Sequence, residues 1–394
     1  MLSFHIDARI PNSQGRAGTI KTPHGEIQTP AFIPVGTKAT IKSLTPEQVA
    51  SLGADAILAN TYHLYLQPGA GLLKKAGGLA RFMNWKGPTF TDSGGFQAFS
   101  LGPAFGKRLG KVGTKGGEYS TDQTDPEEQI TAAPARIDDD GVTFKSVIDG
   151  SMHRFTPETS IKIQHDIGAD IIFAFDECLS PHESYEKQRA AVERTHTWAR
   201  RCLDEHTKLG GGQSLFGIVQ GGRHEDLRRY SAKTIGTMDF DGFGIGGSFD
   251  KDDIGTAVGW VCAELPENKP RHLLGIGEPE DLILGIENGI DTFDCVAPTR
   301  IARNGAAYIP GGRINVFNAK FVDDLSPLQD GCGCYTCTHY SRAYIAHLFR
   351  AKEMLAATLT SIHNLYFLVH LVKDARDAIC AGTWEAFKAK HLNI

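Results

Sequence analysis

The sequence predicts an α/β fold, a (β/α)8 or TIM barrel followed by a small metal-binding subdomain. The first observation is that short apolar, β-branched runs alternate with amphipathic helical patterns over roughly the first three hundred residues, which is typical of βα units around a parallel sheet. The second is the number of these runs, because eight parallel strands close such a barrel. The third is a dense cysteine cluster near the C-terminus, which a strongly helical stretch follows. The strand pattern alone leaves a doubly wound open sheet as the alternative.

The predicted strands are apolar runs that stop at polar or glycine residues. They are AFIPVG (31–36), DAILAN (55–60), PTFTDSGG (88–95), DIIFAFDE (170–177), LFGIVQGG (215–222), DGFGIGG (241–247), RHLLGIG (271–277) and DTFDCVAPT (291–299). Between most of them lie segments such as TPEQVASLG and DLRRYSAKTIG, which have helical apolar spacing and a terminal glycine. We therefore expect a catalytic barrel over residues 1–320.

Residues 102–140 interrupt this regular alternation. The stretch contains glycine turns, a basic first half and an acidic second half that ends in Asp138-Asp139-Asp140. Because it lacks the apolar content for a core of its own, we expect a long loop insertion after the third strand. The segment GVTFKSVIDGSMHRF that follows alternates polar and apolar residues around Asp149-Gly150, which predicts a β-hairpin.

Three cysteines and one histidine form a candidate metal site. Cys332, Cys334 and Cys337 make a C-x-C-x2-C pattern, and His363 lies in the helical stretch that follows. Three thiolates and one imidazole complete a tetrahedral shell, so we expect one structural Zn²⁺ per subunit and no open position for catalysis. Residues 321–394 would then form a zinc-binding helical subdomain. Three thiols crowded by chance in a turn are the alternative.

Composition and charge favour a globular protein of the cytoplasm. The chain is 41% apolar and 22% charged, and no uninterrupted run approaches the roughly 18 apolar residues of a membrane span. The N-terminal MLSFHIDARI lacks the organisation of a signal peptide, and the cysteines outside the cluster are scattered singly, as in a reducing compartment. The net charge of −5 argues against indiscriminate coating of nucleic acid, although residues 331–394 carry an excess of Lys and Arg.

Polar residues stand where several predicted strands stop. They are Asp92, Asp176, Gln220, Gly246-Gly247 and Asp294. In a (β/α)8 barrel the C-terminal strand ends carry the active residues. One acid at a strand end is usually a helix cap or a turn residue. Three acids and a glutamine at one barrel mouth favour a catalytic site instead.

Two of these carboxylates, Asp92 and Asp294, are the equipment for breaking a glycosidic bond. One carboxylate attacks or stabilises the anomeric carbon, and the other shuttles a proton to the leaving group. Gly94 and Gly95 allow the backbone to approach a flat ligand closely, and Phe96 can lie against the face of that ligand.

The remaining polar groups suit the edge of a heterocycle. Asp176 accepts from N–H groups, whereas Gln220 and the Gly247 amide add donors and an acceptor. A pure sugar site would more often show tryptophan platforms, and the whole chain has four Trp. The inventory therefore favours an N-glycoside of a nucleobase over a polysaccharide. A barrel hydrolase with a catalytic metal is disfavoured, because the four-ligand cluster leaves no open position.

Several longer motifs occur in order along the chain. They are TDSGGFQ, AFDEC, FGIVQGG, LLGIGEPEDL, TFDCVAPTRIARNG and the C-x-C-x2-C…H cluster. Together they resemble the bacterial tRNA-guanine transglycosylase family, also called queuine tRNA-ribosyltransferase, over nearly the whole chain except residues 102–140. The family fold is a (β/α)8 barrel with a zinc-binding subdomain, so the resemblance implies the same architecture.

The resemblance implies a pentosyltransferase that exchanges a base in tRNA during queuosine biosynthesis. Guanine at wobble position 34 of tRNAs with GUN anticodons would be replaced by 7-aminomethyl-7-deazaguanine or by queuine. Asp294 corresponds to the nucleophile that forms a covalent ribosyl-enzyme, and Asp92 corresponds to the general acid/base. The resemblance also implies a homodimer that forms through the zinc region.

The resemblance further implies which residues bind the base and the RNA. The base-binding positions are Asp92, Ser93, Gly94, Gly95, Phe96, Asp176, Gln220, Gly247 and Leu274. The tRNA-binding positions are Gly275, Ile276, Gly277, Glu278, Pro279, Glu280, Asp281, Thr299, Arg300, Ile301, Ala302 and Arg303. Guanidinium groups in the second set suit phosphates and bases alike. An anticodon loop offers a splayed base, so the site engulfs it without melting a helix.

Two departures from the family pattern leave questions open. Gly246-Gly247 precede Ser248-Phe249-Asp250 rather than a small apolar pair, in the loop that faces the 7-substituent of the base. Cys178 fits the form that inserts 7-aminomethyl-7-deazaguanine, but the altered loop leaves queuine open. The 102–140 insertion either borders the tRNA path or the subunit interface, or is a solvated loop without function. The alternative to an enzyme is a noncatalytic tRNA-binding or partner subunit, which is expected to have lost a catalytic aspartate.

Overall fold

The computed structural model describes residues 2–100, 112–113, 135–247, 249–250 and 254–392. Within these residues the strands are β1 (Ser3–Arg9), β2 (Arg16–Thr22), β3 (Gly25–Thr29), β4 (Ala31–Pro34), β5 (Ile57–Ala59), β6 (Thr89–Thr91), β7 (Val112–Gly113), β8 (Arg136–Asp138), β9 (Gly141–Lys145), β10 (Met152–Phe155), β11 (Ile171–Phe173), β12 (Ser214–Val219), β13 (Gly242–Ile245), β14 (Phe249–Asp250), β15 (Arg271–Leu273), β16 (Thr292–Cys295), β17 (Ala306–Ile309) and β18 (Gly312–Asn315). The helices are α1 (Pro46–Ser51), α2 (Thr61–Leu66), α3 (Ala70–Ala76), α4 (Leu79–Phe82), α5 (Gly95–Ser100), α6 (Pro157–Ile167), α7 (Tyr185–Leu209), α8 (Glu225–Gly236), α9 (Ile254–Cys262), α10 (Pro279–Glu287), α11 (Ala297–Arg303), α12 (Tyr335–His339), α13 (Arg342–Arg350), α14 (Met354–Cys380) and α15 (Trp384–Leu392).

The predicted barrel strands form one parallel sheet of eight strands that closes on itself. Its order is β4-β16-β15-β13-β12-β11-β6-β5, and a parallel bridge between Val35 and Leu58 joins the first strand to the last. Each strand overlaps its predicted run but ends sooner, because the polar and glycine residues at its C-terminal end belong to the following loop. The barrel prediction is confirmed, and the doubly wound open sheet is wrong.

Apolar side chains fill the barrel and continue into a small antiparallel sheet. Phe90, Phe173 and Phe216 belong to a buried cluster that also contains Ile20 of β2 and Ile27 of β3. The sheet of β1, β2 and β3 therefore packs against the contents of the barrel. Burial of these side chains removes apolar area from water at roughly 25 cal/mol per Å², which holds the sheet in place.

A hydrogen bond shows which end of the barrel this sheet covers. His24 lies in the turn between β2 and β3, and its Nδ1 is 2.6 Å from Asp170, the residue just before β11. The sheet thus closes the amino-terminal end of the barrel and leaves the carboxyl-terminal end accessible. This sheet was not predicted from the sequence.

A second antiparallel sheet, in the order β10-β9-β8, follows the insertion. Its β9-β10 pair is the hairpin predicted around Asp149-Gly150. Of the predicted insertion, only 112–113 and 135–140 lie within the described residues, so the loop prediction otherwise falls outside them. Residues 112–113 form β7, which pairs in parallel with β14 in the loop after β13.

The longest described helix, α14, joins the barrel to the C-terminal region. Over an 18-residue window α14 is apolar enough to cross a membrane, although the sequence predicted no membrane span. However, 67% of that window is buried inside the protein, and a core helix passes the same test. Its second half, from Ile362 to Ile379, belongs to the same buried cluster as the outer helices of the barrel.

The C-terminal region has an apolar cluster of its own. This cluster contains Ala307, Phe321, Ile345 and Leu359, and it therefore runs across residue 320. A short 3₁₀ helix at Ala319–Phe321 lies within the same stretch. The division of the chain into residues 1–320 and 321–394 stays a prediction.

Candidate active site

The predicted active residues lie at the C-terminal ends of the barrel strands. Asp92 directly follows β6, Gln220 directly follows β12, and Gly246 directly follows β13. Asp294 is the third residue of β16, and Asp176 lies three residues beyond the end of β11. Because the barrel strands are parallel, these ends meet at one mouth.

Asp92 is oriented by donors at the N-terminus of α2. The Thr61 backbone N–H donates to Asp92 Oδ1 at 2.8 Å, and Asn60 Nδ2 donates to the other carboxylate oxygen. The Thr61 hydroxyl donates to the Asp92 carbonyl oxygen at 2.5 Å. Asn60 also caps α2 and is buried, so its amide is fixed. The carboxylate is therefore held by its neighbours while part of Asp92 reaches solvent.

Asp294 Oδ1 has two hydrogen-bond partners from the neighbouring strand β15 and the loop that follows it. The Gly275 backbone N–H donates to Asp294 Oδ1 at 2.8 Å, and His272 Nε2 lies 3.0 Å from the same oxygen. Gly275 adopts φ +73°, a conformation that favours glycine and turns its N–H toward the carboxylate. His272 is fully buried, and its Nδ1 lies 2.8 Å from Thr292 Oγ1. These contacts fix the plane of the Asp294 carboxylate.

A cysteine follows Asp294, and its protonation matters because a thiolate would compete as a nucleophile. Desolvation raises the pKa of the Cys295 thiol to about 12, although the Ala297 N–H acts in the opposite direction. The negative charge of Asp294 acts in the same direction as desolvation. At neutral pH the thiol is therefore protonated, and the carboxylate is the better nucleophile at this strand end.

Asp176, Ser93 and Gln220 form a buried hydrogen-bonded set. Ser93 Oγ donates to Asp176 Oδ1 at 3.1 Å, and Gln220 Nε2 donates to Asp176 Oδ2 at 2.7 Å. Ser93 is 6% exposed, Asp176 is 7% exposed and Gln220 is 4% exposed. A set that is fixed in this way presents donors and acceptors to the edge of a flat heterocycle.

Two glycines at the mouth have backbone conformations that favour glycine. Gly94 has φ +76°, and a Cβ on it would lie 3.1 Å from Phe155 and 3.2 Å from the Tyr62 nitrogen. Gly247 has φ +108°, and a Cβ on it would lie 2.5 Å from Arg228 Nη2. Side chains at these positions would therefore displace the loops that carry the polar set.

Arg228 is a buried cation behind the Gly246-Gly247 turn. Its Nε donates to the Gly222 carbonyl at 2.8 Å, and its Nη1 donates to the Gly246 carbonyl at 2.7 Å. Desolvation lowers the pKa of Arg228 to about 10, so the group stays charged at neutral pH. Arg228 thus ties α8 to the loops after β12 and β13.

The candidate RNA-binding residues fall in two segments on either side of Asp294. Gly275 uses its N–H to hold the Asp294 carboxylate. Three of the candidates have side chains that are at most 1% exposed and therefore inaccessible to a ligand in this conformation. They are Ile276, Asp281 and Ala302. Gly277 and Thr299 are also buried. The partly exposed members are Glu278, Pro279, Glu280, Arg300, Ile301 and Arg303.

The cysteine cluster and His363 come together as a four-ligand site. His363 Nδ1 lies 3.8, 3.6 and 3.3 Å from the sulfurs of Cys332, Cys334 and Cys337. His363 Nε2 donates to the Tyr308 carbonyl at 2.7 Å, which directs Nδ1 to the sulfurs. A tetrahedral shell with Zn–S near 2.3 Å and Zn–N near 2.0 Å has S–N edges of about 3.6 Å. The observed spacing fits this shell, so the cluster can hold a metal ion.

Helix α14 connects this cluster to one of the candidate RNA-binding segments. Asn364 follows His363, and its Nδ2 donates to the carbonyls of Pro298 and Ala306 at 3.0 Å each. Asn364 Oδ1 accepts from the Tyr308 N–H at 3.0 Å. Because the two carbonyls bracket most of α11, the metal cluster and α11 are attached to the same turn of α14.

Sequence reasoning missed the residues that hold the two aspartates. Asn60 ends the run DAILAN, and His272 lies inside the run RHLLGIG. A polar residue within a buried strand is a usable signal, because it must find a partner there. Arg228 lies in a predicted amphipathic helix, where charged residues are ordinary, so nothing in the sequence marks it as buried.

The loop after Gly247 is only partly described. Ser248 lies outside the described residues, and Phe249 and Asp250 are described only by their backbone pairing with β7. The predicted position of this loop against a 7-substituent therefore falls outside the described side chains. Cys178 is buried two residues beyond Asp176.

Known proteins resemble this chain over nearly its whole length. The model of a family described as queuine tRNA-ribosyltransferase matches residues 12–393. A queuine tRNA-ribosyltransferase of Herpetosiphon aurantiacus is 48% identical over 98% of this chain and 91% of its own length. One of Roseiflexus sp. is 48% identical over 100% of both chains, and one of Symbiobacterium thermophilum is 47% identical over 98% of this chain and 89% of its own. The chain therefore belongs to the queuine tRNA-ribosyltransferase family.

Proposed function

We propose that this protein is a tRNA-guanine transglycosylase that replaces guanine at wobble position 34 of tRNAs with GUN anticodons. The incoming base is a 7-deazaguanine, either 7-aminomethyl-7-deazaguanine or queuine. The observation that carries the proposal is the pair of oriented carboxylates, Asp92 and Asp294, at one barrel mouth beside the buried Asp176 set. The name that the relatives bear supports the same activity.

In the proposed first step Asp294 attacks C1′ of the target guanosine. A bond forms between a carboxylate oxygen of Asp294 and C1′, the C1′–N9 bond breaks, and its electron pair leaves with guanine. Gly275 and His272 both contact Oδ1, which supports a carboxylate held ready for this attack. The product is a ribosyl ester on the enzyme. The incoming base then reverses these bond changes.

Asp92 is the proposed proton carrier. The departing guanine gains a proton and the incoming base loses one, so a single group that gives and takes back a proton serves both halves. Asn60 and Thr61 hold the Asp92 carboxylate in one orientation, which suits this role. Ser93, Asp176 and Gln220 read the edge of the base.

RNA binding is proposed to fall on the partly exposed side chains of the two segments beside Asp294. Arg300 and Arg303 on α11 suit the phosphates of a single-stranded anticodon loop. The metal of the Cys332, Cys334, Cys337 and His363 cluster is proposed to be a structural Zn²⁺, because its donors are three sulfurs and one imidazole.

The noncatalytic alternative predicts that one of the two aspartates is lost. Both are present, and both are held by hydrogen-bond donors.

We also propose a homodimer through the zinc region, which sedimentation of the purified protein would test. The eight cysteines all lie in the described residues and none of them forms a disulfide, which supports a reducing cytoplasm as the proposed site of the reaction.

The proposed function is tested by incorporation of labelled guanine into tRNA. The purified protein is expected to label a transcript with a GUN anticodon. The same transcript with adenine at the wobble position is the matched control, and it should take up no label because it offers no guanine to displace. Failure of the wild-type protein to label the first transcript, or equal labelling of both, would overturn the proposal.

A competition experiment identifies the incoming base. Guanine-labelled tRNA is incubated with protein and either 7-aminomethyl-7-deazaguanine or queuine, and loss of label is followed. At least one of the two bases should displace the label. If neither does so while guanine exchanges, the proposed incoming base is wrong although the transglycosylase activity stands.

Gly247→Ala is expected to weaken base binding more than it weakens the fold. The new Cβ would lie 2.5 Å from Arg228 and 3.3 Å from Gln220, at φ +108°. The turn must therefore shift against the base-reading set. We expect the KM for guanine to rise about tenfold and the free energy of unfolding to fall by about 1–3 kcal/mol.

Gly210→Ala is the matched control for backbone strain. Gly210 also has a positive φ, of +63°, but a Cβ there meets nothing within 4 Å. This variant should lose comparable stability and keep the wild-type KM for guanine. An unchanged KM in Gly247→Ala would contradict a role of this turn in base binding.

A further inference from the structure

His272 is a fully buried histidine in the interior of the barrel. Its ring packs against Phe90 and Phe173, whose ring centroids lie 5.7 and 5.2 Å away. Both ring nitrogens meet polar partners, with Nδ1 2.8 Å from Thr292 Oγ1 and Nε2 3.0 Å from Asp294 Oδ1. A ring that packs against two phenyl rings and has a polar partner at both nitrogens is fixed in one orientation.

The partners of His272 determine which nitrogen carries a proton. An ionised carboxylate only accepts hydrogen bonds, so Nε2 must donate to Asp294. The Thr292 hydroxyl serves Nδ1 either as donor to a neutral ring or as acceptor from an imidazolium. In both cases Asp294 Oδ1 receives two donors, one from His272 and one from the Gly275 N–H at 2.8 Å.

Packing alone does not require an imidazole at this place. The neighbours of the ring faces are aromatic and apolar, and an apolar ring of similar size would bury as much surface there. A polar ring in such surroundings must find partners or lose free energy. The sequence therefore places a donor inside the barrel at a strand position that reaches Asp294.

We propose that His272 is a positioning residue for the nucleophile in both halves of the exchange, an inference that rests on the proposed function. With the Gly275 N–H it holds Asp294 Oδ1, so that the carboxylate keeps its position for bonding to C1′. In the second half, N9 of the incoming base bonds to C1′ and gives its proton to Asp92. The ester bond between Asp294 and C1′ breaks, and its electron pair returns to the Asp294 carboxylate. Two donors fixed on Oδ1 stabilise the charge that then spreads over both oxygens.

His272→Phe tests this role because it keeps a planar ring and removes the donor. We expect kcat for guanine exchange to fall about a hundredfold to a thousandfold, as for removal of one preorganised donor. The KM values for guanine and tRNA should change less than about threefold, because the donor contacts neither substrate. The single-turnover rates of guanine release and of adduct resolution should both fall.

Two further variants separate positioning from packing. His272→Gln places an amide N–H near the position of Nε2 and should recover kcat to within about tenfold of wild type, whereas His272→Phe does not. Thr292→Val removes the partner of Nδ1 with little change of shape and should lower kcat about tenfold. These two variants also decide the matter if His272→Phe fails to fold.

Several results would overturn the inference. One is a wild-type kcat in folded His272→Phe. Another is equal impairment of His272→Phe and His272→Gln with raised KM for both substrates, which would indicate packing. A third result applies if His272→Phe does not fold and the other two variants do. It is a wild-type kcat in Thr292→Val together with a kcat more than a hundredfold below wild type in His272→Gln. Failure of the wild-type protein to exchange guanine would instead refute the proposed function itself.

Discussion

Asp294→Asn is expected to abolish guanine exchange while the fold and the base pocket remain intact. The amide oxygen can still accept from Gly275 and His272, which lie 2.8 and 3.0 Å from Asp294 Oδ1, so the side chain keeps its place. A neutral amide cannot displace the base from C1′. We expect kcat to fall at least about a thousandfold, with no covalent RNA band on a denaturing gel.

Two further Asp→Asn variants are compared with Asp294→Asn, one at the barrel mouth and one on the surface. Asp92→Asn should lose about 10²- to 10⁴-fold in kcat, as expected for removal of a general acid/base. Asp239→Asn changes a fully exposed carboxylate in the segment before β13, and it should behave as wild type. Exchange by folded Asp294→Asn within tenfold of wild type, or persistence of the covalent band, would refute the assignment of the nucleophile.

Cys334→Ala is expected to release the metal and to destabilise the C-terminal region. Cys334 is 1% exposed, and its sulfur lies 3.6 Å from His363 Nδ1. Because metal binding contributes directly to folding at such sites, we expect the free energy of unfolding to fall by about 4 kcal/mol or more. The measurements are zinc content per chain and a urea unfolding curve.

The same variant should also weaken tRNA binding without changing the base pocket. Asn364, next to the ligand His363, binds the carbonyls that bracket α11, so loss of the metal loosens the helix that carries Arg300 and Arg303. Cys380→Ala is the matched control, because Cys380 is an exposed cysteine on α14, the helix that carries His363. Wild-type zinc content in Cys334→Ala, or loss of zinc with unchanged unfolding and tRNA affinity, would contradict this role.

The barrel strands could be predicted because strands in a closed parallel barrel are buried on both faces. They therefore read as short continuous apolar runs, as β12 does with all six residues buried. The amino-terminal sheet gave no such signal, because β1 alternates exposed and half-buried residues. Ile20 and Ile27 contribute to its attachment to the barrel, and only the fold brings them there.

The candidate site could be predicted as residue types but not as contacts. Asp92 and Asp294 stand out because they end apolar runs. The side chains that hold them, Asn60 and His272, do not stand out in this way, because they reach the aspartates from neighbouring strands. The register of β15 against β16 sets His272 opposite Thr292, and this register puts the imidazole within reach of Asp294. A shift of one residue would turn the imidazole to the other face of the strand.

The sequence by itself determined the fold class, the family, the candidate metal ligands and the chemical types at the barrel mouth. These follow from apolar periodicity, motif spacing and residue identity, which are local properties of the chain. Only the tertiary structure decided which groups hold Asp294 Oδ1, which candidate RNA-binding side chains reach solvent, and how the metal cluster attaches to α11. Each of these depends on distances between segments far apart in the sequence, and strand register and helix packing set those distances.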